Sequence, residues 1–207
     1  MLKLYKYRSF LTRTDKGRLR SLLENQEIYC STPDKLNDPY DCNIGTADHL
    51  LGHLVKVGVF CLSGPKHNDI LLFAHYANQH KGICLEFEVD TGQTIGDSTF
   101  LGFAEPVQYV DNFPQFTPQS IHRLPKMKSR VWDYEDEYRV LADLKANSSP
   151  FRRFEKTELV GIRFGLRMSE SEQRRIQKWA GKVEFPKIAF WKTSLRNDRF
   201  CFEYQMI

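Results

Sequence analysis

The run Ile83-Cys84-Leu85-Glu86-Phe87-Glu88-Val89 constrains the fold more than any other stretch of this chain. Side chains of a strand alternate between two faces, so Ile83, Leu85, Phe87 and Val89 are expected on a core face and Glu86 and Glu88 in solvent. Such a strand needs partners to complete its hydrogen bonds, and the chain supplies them. Residues 2–8, LKLYKYR, read as an edge-like first strand, and residues 27–31, 57–62, 106–109, 187–191 and 199–204 as further short strands.

Helices are fewer. Thr14 or Asp15 is expected to cap a helix carrying Leu19, Leu22 and Leu23. Asn68 or Asp69 is expected to cap a helix from 70 to 80 that stops at Gly82, and Ser169-x-x-Glu172 is a capping box for one reaching about Gly181. A short helix is expected over residues 48–56, weakened by Gly52. The pattern predicts an α+β fold in a single domain spanning residues 1–207, with mixed, mostly antiparallel sheets and three or four helices. Its 207 residues suffice for a sizeable core.

The five cysteines are odd in number and lack a C-x-x-C spacing, which points to reduced, mostly buried thiols in a cytoplasmic protein. The N-terminus has no signal-peptide core, and no apolar run approaches the ~20 residues that cross a bilayer, so no membrane partner is expected. A net charge of +4 mildly favours anionic partners.

Chemistry concentrates in Trp132-Asp133-Tyr134-Glu135-Asp136-Glu137-Tyr138-Arg139. Read as the entrance to a strand, Glu135 and Glu137 are two apart and share a face. Paired acids that close need a cation, a metal or a substrate to compensate them. In a site shielded from water, Glu137 could stabilise a developing oxocarbenium centre while Glu135 activates a nucleophile. A solvated strand edge, with Glu137 paired to Arg139 or Lys128, is the plainer reading.

Asn37-Asp38-Pro39-Tyr40-Asp41 is a turn signal whose Asp38 and Asp41 are also hard oxygen ligands. Asp38, Asp41, Glu135 and Glu137 could therefore gather around Mg²⁺, as in a metal-dependent nuclease, with the basic stretch 123–130 holding phosphate. A third alternative is a non-catalytic binding module in a defence complex, where the same motifs are structural. Ser63 ends an apolar strand without a G-x-S-x-G elbow, and the histidine pairs His49/His53 and His75/His80 lack a zincin glutamate. Arg123, Lys126, Lys128, Arg130, Arg152 and Arg153 are expected mainly as a solvated basic face.

The motifs LYKYR, NDPYD, FAHYANQHKGICLEF and WDYEDEYR, across residues 2–139, resemble an uncharacterised prokaryotic family, the domain of unknown function 2971. The order of three shorter motifs is also similar to the ADP-ribosyltransferase superfamily: Arg8 or Tyr7 closing the first strand, Ser63 closing a strand before a helix, and Glu135-x-Glu137 at a late strand. That resemblance implies a transferase that uses NAD as substrate and passes ADP-ribose to a protein or nucleic acid, as a toxin or phage-defence effector. It implies that Arg8 holds a phosphate or ribose of NAD, with Lys6 competing for that role. Ser63 would orient Glu137, Glu137 would bond the ribose 2′-hydroxyl, and Glu135 would activate the acceptor. Tyr7, Tyr76 and Trp132 would line or stack on NAD. The NDPYD loop has no counterpart in that pattern; its Asn37 and Asp38 are expected to position the substrate.

Overall fold

A computed structural model describes residues 1–41, 56–91, 99–115, 120–144 and 149–207. The helix expected over 48–56, with His49 and His53, lies outside them, apart from Lys56 in a turn.

Eight strands form one sheet. Its centre is β1 (Leu2–Arg8), β3 (Val57–Ser63), β4 (Ile83–Val89) and β8 (Glu137–Asp143). Outside these lie β5 (Glu105–Pro106) beyond β8, and β10 (Leu159–Phe164), β11 (Ala189–Leu195) and β12 (Phe202–Met206) beyond β4, giving the order β12-β11-β10-β4-β1-β3-β8-β5. All pairings in it are antiparallel except β10 with β11. Two small ribbons complete the strands: β2 (Glu27–Tyr29) with β9 (Phe151–Arg153), and β6 (Gln108–Val110) with β7 (Met127–Ser129). The expected strand at 106–109 is thus two short ones with different partners. The fold is α+β in a single domain, as its patterning predicts.

Among the described residues there are three α-helices: α1 (Arg13–Asn25), α2 (Asp69–Tyr76) and α3 (Glu170–Ala180). The cap of α1 is Thr12, two or three residues earlier than expected, because Thr12 and Asp15 close a reciprocal capping box. Asn68 and Ser169 cap the other two through their side-chain oxygens. Helix α2 stops at Tyr76, short of residue 80, because Asn78, Gln79 and His80 all have positive φ. The turn then presses Gly82 against β1: a Cβ there would strike the carbonyl of Arg8.

The helices divide between the faces of the sheet. Leu4, Phe60, Leu85, Phe87, Val140, Ile162 and Phe164 pack with Leu19, Leu22, Leu23 and Ile176 of α1 and α3. On the other face Tyr5, Tyr7 and Cys84 pack under Leu72 and Phe73 of α2 and Ala77 at its C-cap. The clean alternation of residues 83–89 therefore does not separate core from solvent. Glu86 is 8% exposed and ion-paired to Arg163, whose guanidinium lies over the Tyr5 and Tyr204 rings.

One break in the sheet matters. β1 pairs with β4 through seven register partners but with β3 through a single one, Tyr5↔Ser63. Past that point the strands part, and the edge of β3 bonds Ser31 instead, through Val59 N to Ser31 O at 2.7 Å and Ser31 N to Val59 O at 2.9 Å. The backbone gap between them is where the candidate site opens.

Candidate functional site: an acid pair in the cleft between two parting strands

The acids do not meet by strand alternation. Arg130–Glu135 is a 3₁₀ turn, Asp136 is left-handed at φ 44°, and the strand begins only at Glu137. The turn folds Glu135 back, and the shared partner is a cation from elsewhere. Lys128 Nζ lies 2.5 Å from Glu135 Oε2 and 2.7 Å from Glu137 Oε2. Lys128, expected on a solvated basic face, is 5% exposed. Its outer neighbours do remain at the surface, Lys126 paired with Glu105 and Arg130 with Asp111.

Arg139 completes the network. Its Nε donates to Glu137 Oε1 at 2.7 Å, and its two terminal nitrogens donate to Asp41 Oδ1 and Oδ2 at 2.8 and 2.5 Å. The Tyr76 hydroxyl donates to Glu135 Oε1 at 2.5 Å, and Asn37 Nδ2 donates to the Tyr76 oxygen at 3.0 Å. The Tyr109 hydroxyl accepts from the Glu137 backbone N–H at 2.8 Å. Glu135, Glu137, Lys128, Arg139 and Asp41 are all 5% exposed or less. Buried ion networks of this kind contribute little net stability compared with an apolar core.

Ser63 is register-paired with Glu137 across β3 and β8, so their side chains leave the same face of the sheet. Both line a cleft of about 240 Å³, together with Lys6, Tyr7, Asn37 and Tyr76. Lys6 comes from the α1 face, passes the Phe60 ring and reaches across the gap to donate to Cys61 O at 2.7 Å. A second cavity of about 200 Å³, with Tyr40, Phe113, Leu124 and Met127 in its walls, adjoins it at Asp41 and Lys128.

The two glutamates are driven apart electrostatically. Burial opposes the ionisation of Glu137, but Arg139 and Lys128 outweigh it and hold its pKa down at about 2. Burial prevails at Glu135 and raises its pKa despite Lys128. Lys128 loses ground to burial but is held charged by Glu137 and Glu135. Lys6 is lowered by burial. Burial, followed by Glu135, raises the Tyr76 phenol, and burial followed by Glu137 lifts the Cys61 thiol to about 12.

Several expected site residues fall elsewhere. Arg8 does not line the cleft. Strand alternation sends it toward α1, beside Arg18 and Asp15, where burial lowers its pKa to about 10. Trp132 sits behind Lys128, 5.0 Å from Nζ, against His75 and Tyr134 rather than in the opening. Asp38 closes an Asx turn onto the Tyr40 N–H at 2.9 Å and is buried in its own loop. Tyr7 lines the cleft, but its hydroxyl bonds His67 Nε2 at 2.7 Å.

Shared metal binding by Asp38, Asp41, Glu135 and Glu137 fails on geometry. Asp38 is held by its turn, and the seats between the other carboxylates are taken by Lys128 and Arg139. Among the described residues no three His, Cys, Asp or Glu side chains group to hold a metal. None of the described helices is long and apolar enough to cross a membrane.

Arg139 and Lys128, the expected partners of Glu137, both pair with it, but in a buried network rather than at a solvated edge. Lys6, expected only as a rival of Arg8, is the one of those two that lines the cleft. Alternation in LKLYKYR even directs Lys6 away from the cleft, and only the parting of β1 from β3 lets it return. Comparisons of this chain with family descriptions, with curated proteins and with solved structures find no match.

Proposed function

We propose that this chain breaks and re-forms a glycosidic bond of a nucleotide, with NAD as the substrate and ADP-ribose as the group transferred. The observation that carries the reading is the division of labour between the two carboxylates at one cleft. Glu137 is held ionised by Arg139 and Lys128. It suits the electrostatic role beside a ribose carbon that becomes electron-poor as nicotinamide departs with the bonding pair. Glu135, raised by burial, suits the proton-accepting role toward the acceptor nucleophile. Environments that push two neighbouring carboxyls apart are a recurring basis for such assignments.

Ser63, opposite Glu137, supports the role of orienting it or the ribose. The cation for phosphate on this reading is Lys6 or Lys128, not Arg8, because those two line the cleft. The Tyr76 ring and Asn37 form its wall, and the adjoining cavity at Tyr40 and Phe113 gives room for the rest of an extended substrate. A transferase reading also gives a reason to keep five charges buried where apolar packing would serve stability as well.

The test is incubation of the purified protein with radiolabelled NAD, alone and with host lysate. Nicotinamide release or label transfer is expected, with Glu137→Gln slower by about 10²-fold or more and a thermal melt showing the variant folded. Absence of both release and transfer, with no heat of NAD binding by calorimetry, refutes the proposal. Loss of folding rather than activity in Glu137→Gln would favour a non-catalytic module.

A further inference from the structure

We infer that the groove between α1 and α3 is a separate binding site for the phosphate backbone of a nucleic acid. The inference does not rest on the chemistry at Glu137.

Charge is distributed unevenly over the molecule. Helix α1 carries Arg13, Lys16, Arg18 and Arg20 against Asp15 and Glu24. Helix α3, with Lys182 just beyond it, carries Arg174, Arg175, Lys178 and Lys182 against Glu170 and Glu172. The two helices together with Lys182 thus hold an excess of +4, equal to the formal net charge of the whole chain, and the remainder is neutral overall. They lie side by side, joined by Lys16–Glu172 at 3.8 Å and Lys182–Glu24 at 2.8 Å.

Between them runs a shallow groove whose walls are Arg20, Arg174, Arg175, Lys178, Lys182 and the half-buried Trp179. No carboxylate among the described residues lines it. Glu24 and Glu170 engage their cations from its rim, pairing with Arg20, Lys182 and Arg174. Arg175 and Lys178 are exposed, and neither makes an ion pair or hydrogen bond among the described residues. Lys178 and Lys182 complement the C-terminal end of the α3 dipole. Arg20, Arg174 and Arg175 lie away from that end, so the dipole does not account for them.

Of the five cations, Glu24 and Glu170 engage three, and Arg175 and Lys178 stay without an acid among the described residues. Such a cluster favours a ligand with several negative charges in a row, and arginine forks match phosphate oxygens. An anionic membrane fits less well. A helix that lies on a bilayer exposes an apolar strip, whereas Leu19, Leu22, Leu23, Ile176 and Ala180 are all buried against the sheet.

Fluorescence anisotropy of the full chain with labelled 20-nucleotide single-stranded RNA and duplex DNA, across a salt series, tests the inference. Binding is expected at low salt, weakening linearly in log salt. The double variant R175E/K178E is expected to lose affinity by about tenfold or more while melting at the same temperature. Failure to bind either oligonucleotide at about 50 mM salt overturns the inference, as does equal binding by the variant. Capture by phosphatidylserine vesicles with neither oligonucleotide retained also overturns it, and reassigns the groove to a lipid surface.

Discussion

Arg139 grips Asp41 through two nitrogen–oxygen contacts, at 2.8 and 2.5 Å, across 98 residues of sequence. This grip ties the NDPYD loop to the strand that carries Glu137, and both partners are about 1% exposed. The grip makes Asp41 part of the wall of the acid site.

Asp41→Ala leaves that guanidinium buried with a partner removed. Breaking a buried pair costs on the order of 3–5 kcal/mol. Arg139 keeps Glu137 and the carbonyl of Pro125 at 3.0 Å, so the lower end is expected. Asp41→Asn retains an acceptor and should lose roughly half as much. Urea unfolding of both variants checks the ordering, and equal losses would contradict it.

Lys128→Met removes the cation shared by Glu135 and Glu137. With it gone, burial and mutual repulsion raise the pKa of Glu135 further above its unfolded value. A group whose folded pKa is raised costs stability when ionised, so the variant's deficit is greatest above that pKa and shrinks as pH falls. At pH 7 the loss is expected to be roughly 3 kcal/mol. Denaturation across pH 4–8 measures it, and a deficit that grows toward acid would reject the account.

Glu137 has the opposite sign. Its folded pKa, about 2, lies below the unfolded value, which is about 4.3. Its contribution is present above the unfolded value and is lost as pH falls toward about 2. Glu137→Gln should therefore be less stable near neutrality and show a flatter acid limb below about pH 4. An unchanged limb in acid-titration melts would remove Glu137 from this role.

His67 lies between the Tyr5 and Tyr7 rings, with centroids at 4.6 and 5.5 Å. Its Nδ1 donates to the carbonyl of Gly64 at 2.5 Å, so Nε2 accepts from the Tyr7 hydroxyl in the neutral ring. Burial lowers its pKa, with Arg163 adding to the effect and Asp69 and Asp136 opposing it. A depressed histidine binds more protons when unfolded. Stability is then full above the unfolded value of about 6.5 and falls as pH drops below it. His67→Gln should blunt that fall below about pH 6.5, as read by thermal melts at each pH.

Much of the frame is legible in local patterns. The capping box at Thr12, the side-chain cap at Ser169, the strand at 83–89 and the turn at NDPYD are set by neighbours within a few residues, and each forms near its expected place. Errors arise where a second layer intervenes. Glu86 alternates as a solvent residue yet is buried, since nothing local announces that Arg163 of a distant strand, stacked on Tyr5 and Tyr204, pairs with it. The E-x-E spacing signals that the acids meet, but for the wrong reason: a left-handed Asp136 and a 3₁₀ turn replace the expected pleat.

Sequence by itself determines the period of each segment, the caps and turns that end it, and the presence of an acid pair beside aromatics. Those are short-range properties of backbone sterics and side-chain burial. Only tertiary structure decides that β1 leaves β3 after Tyr5, that Lys6 rather than Arg8 reaches the gap, and that Lys128 sits between the carboxylates. These depend on which distant charges are desolvated together, and that balance exists only once the chain has closed around them.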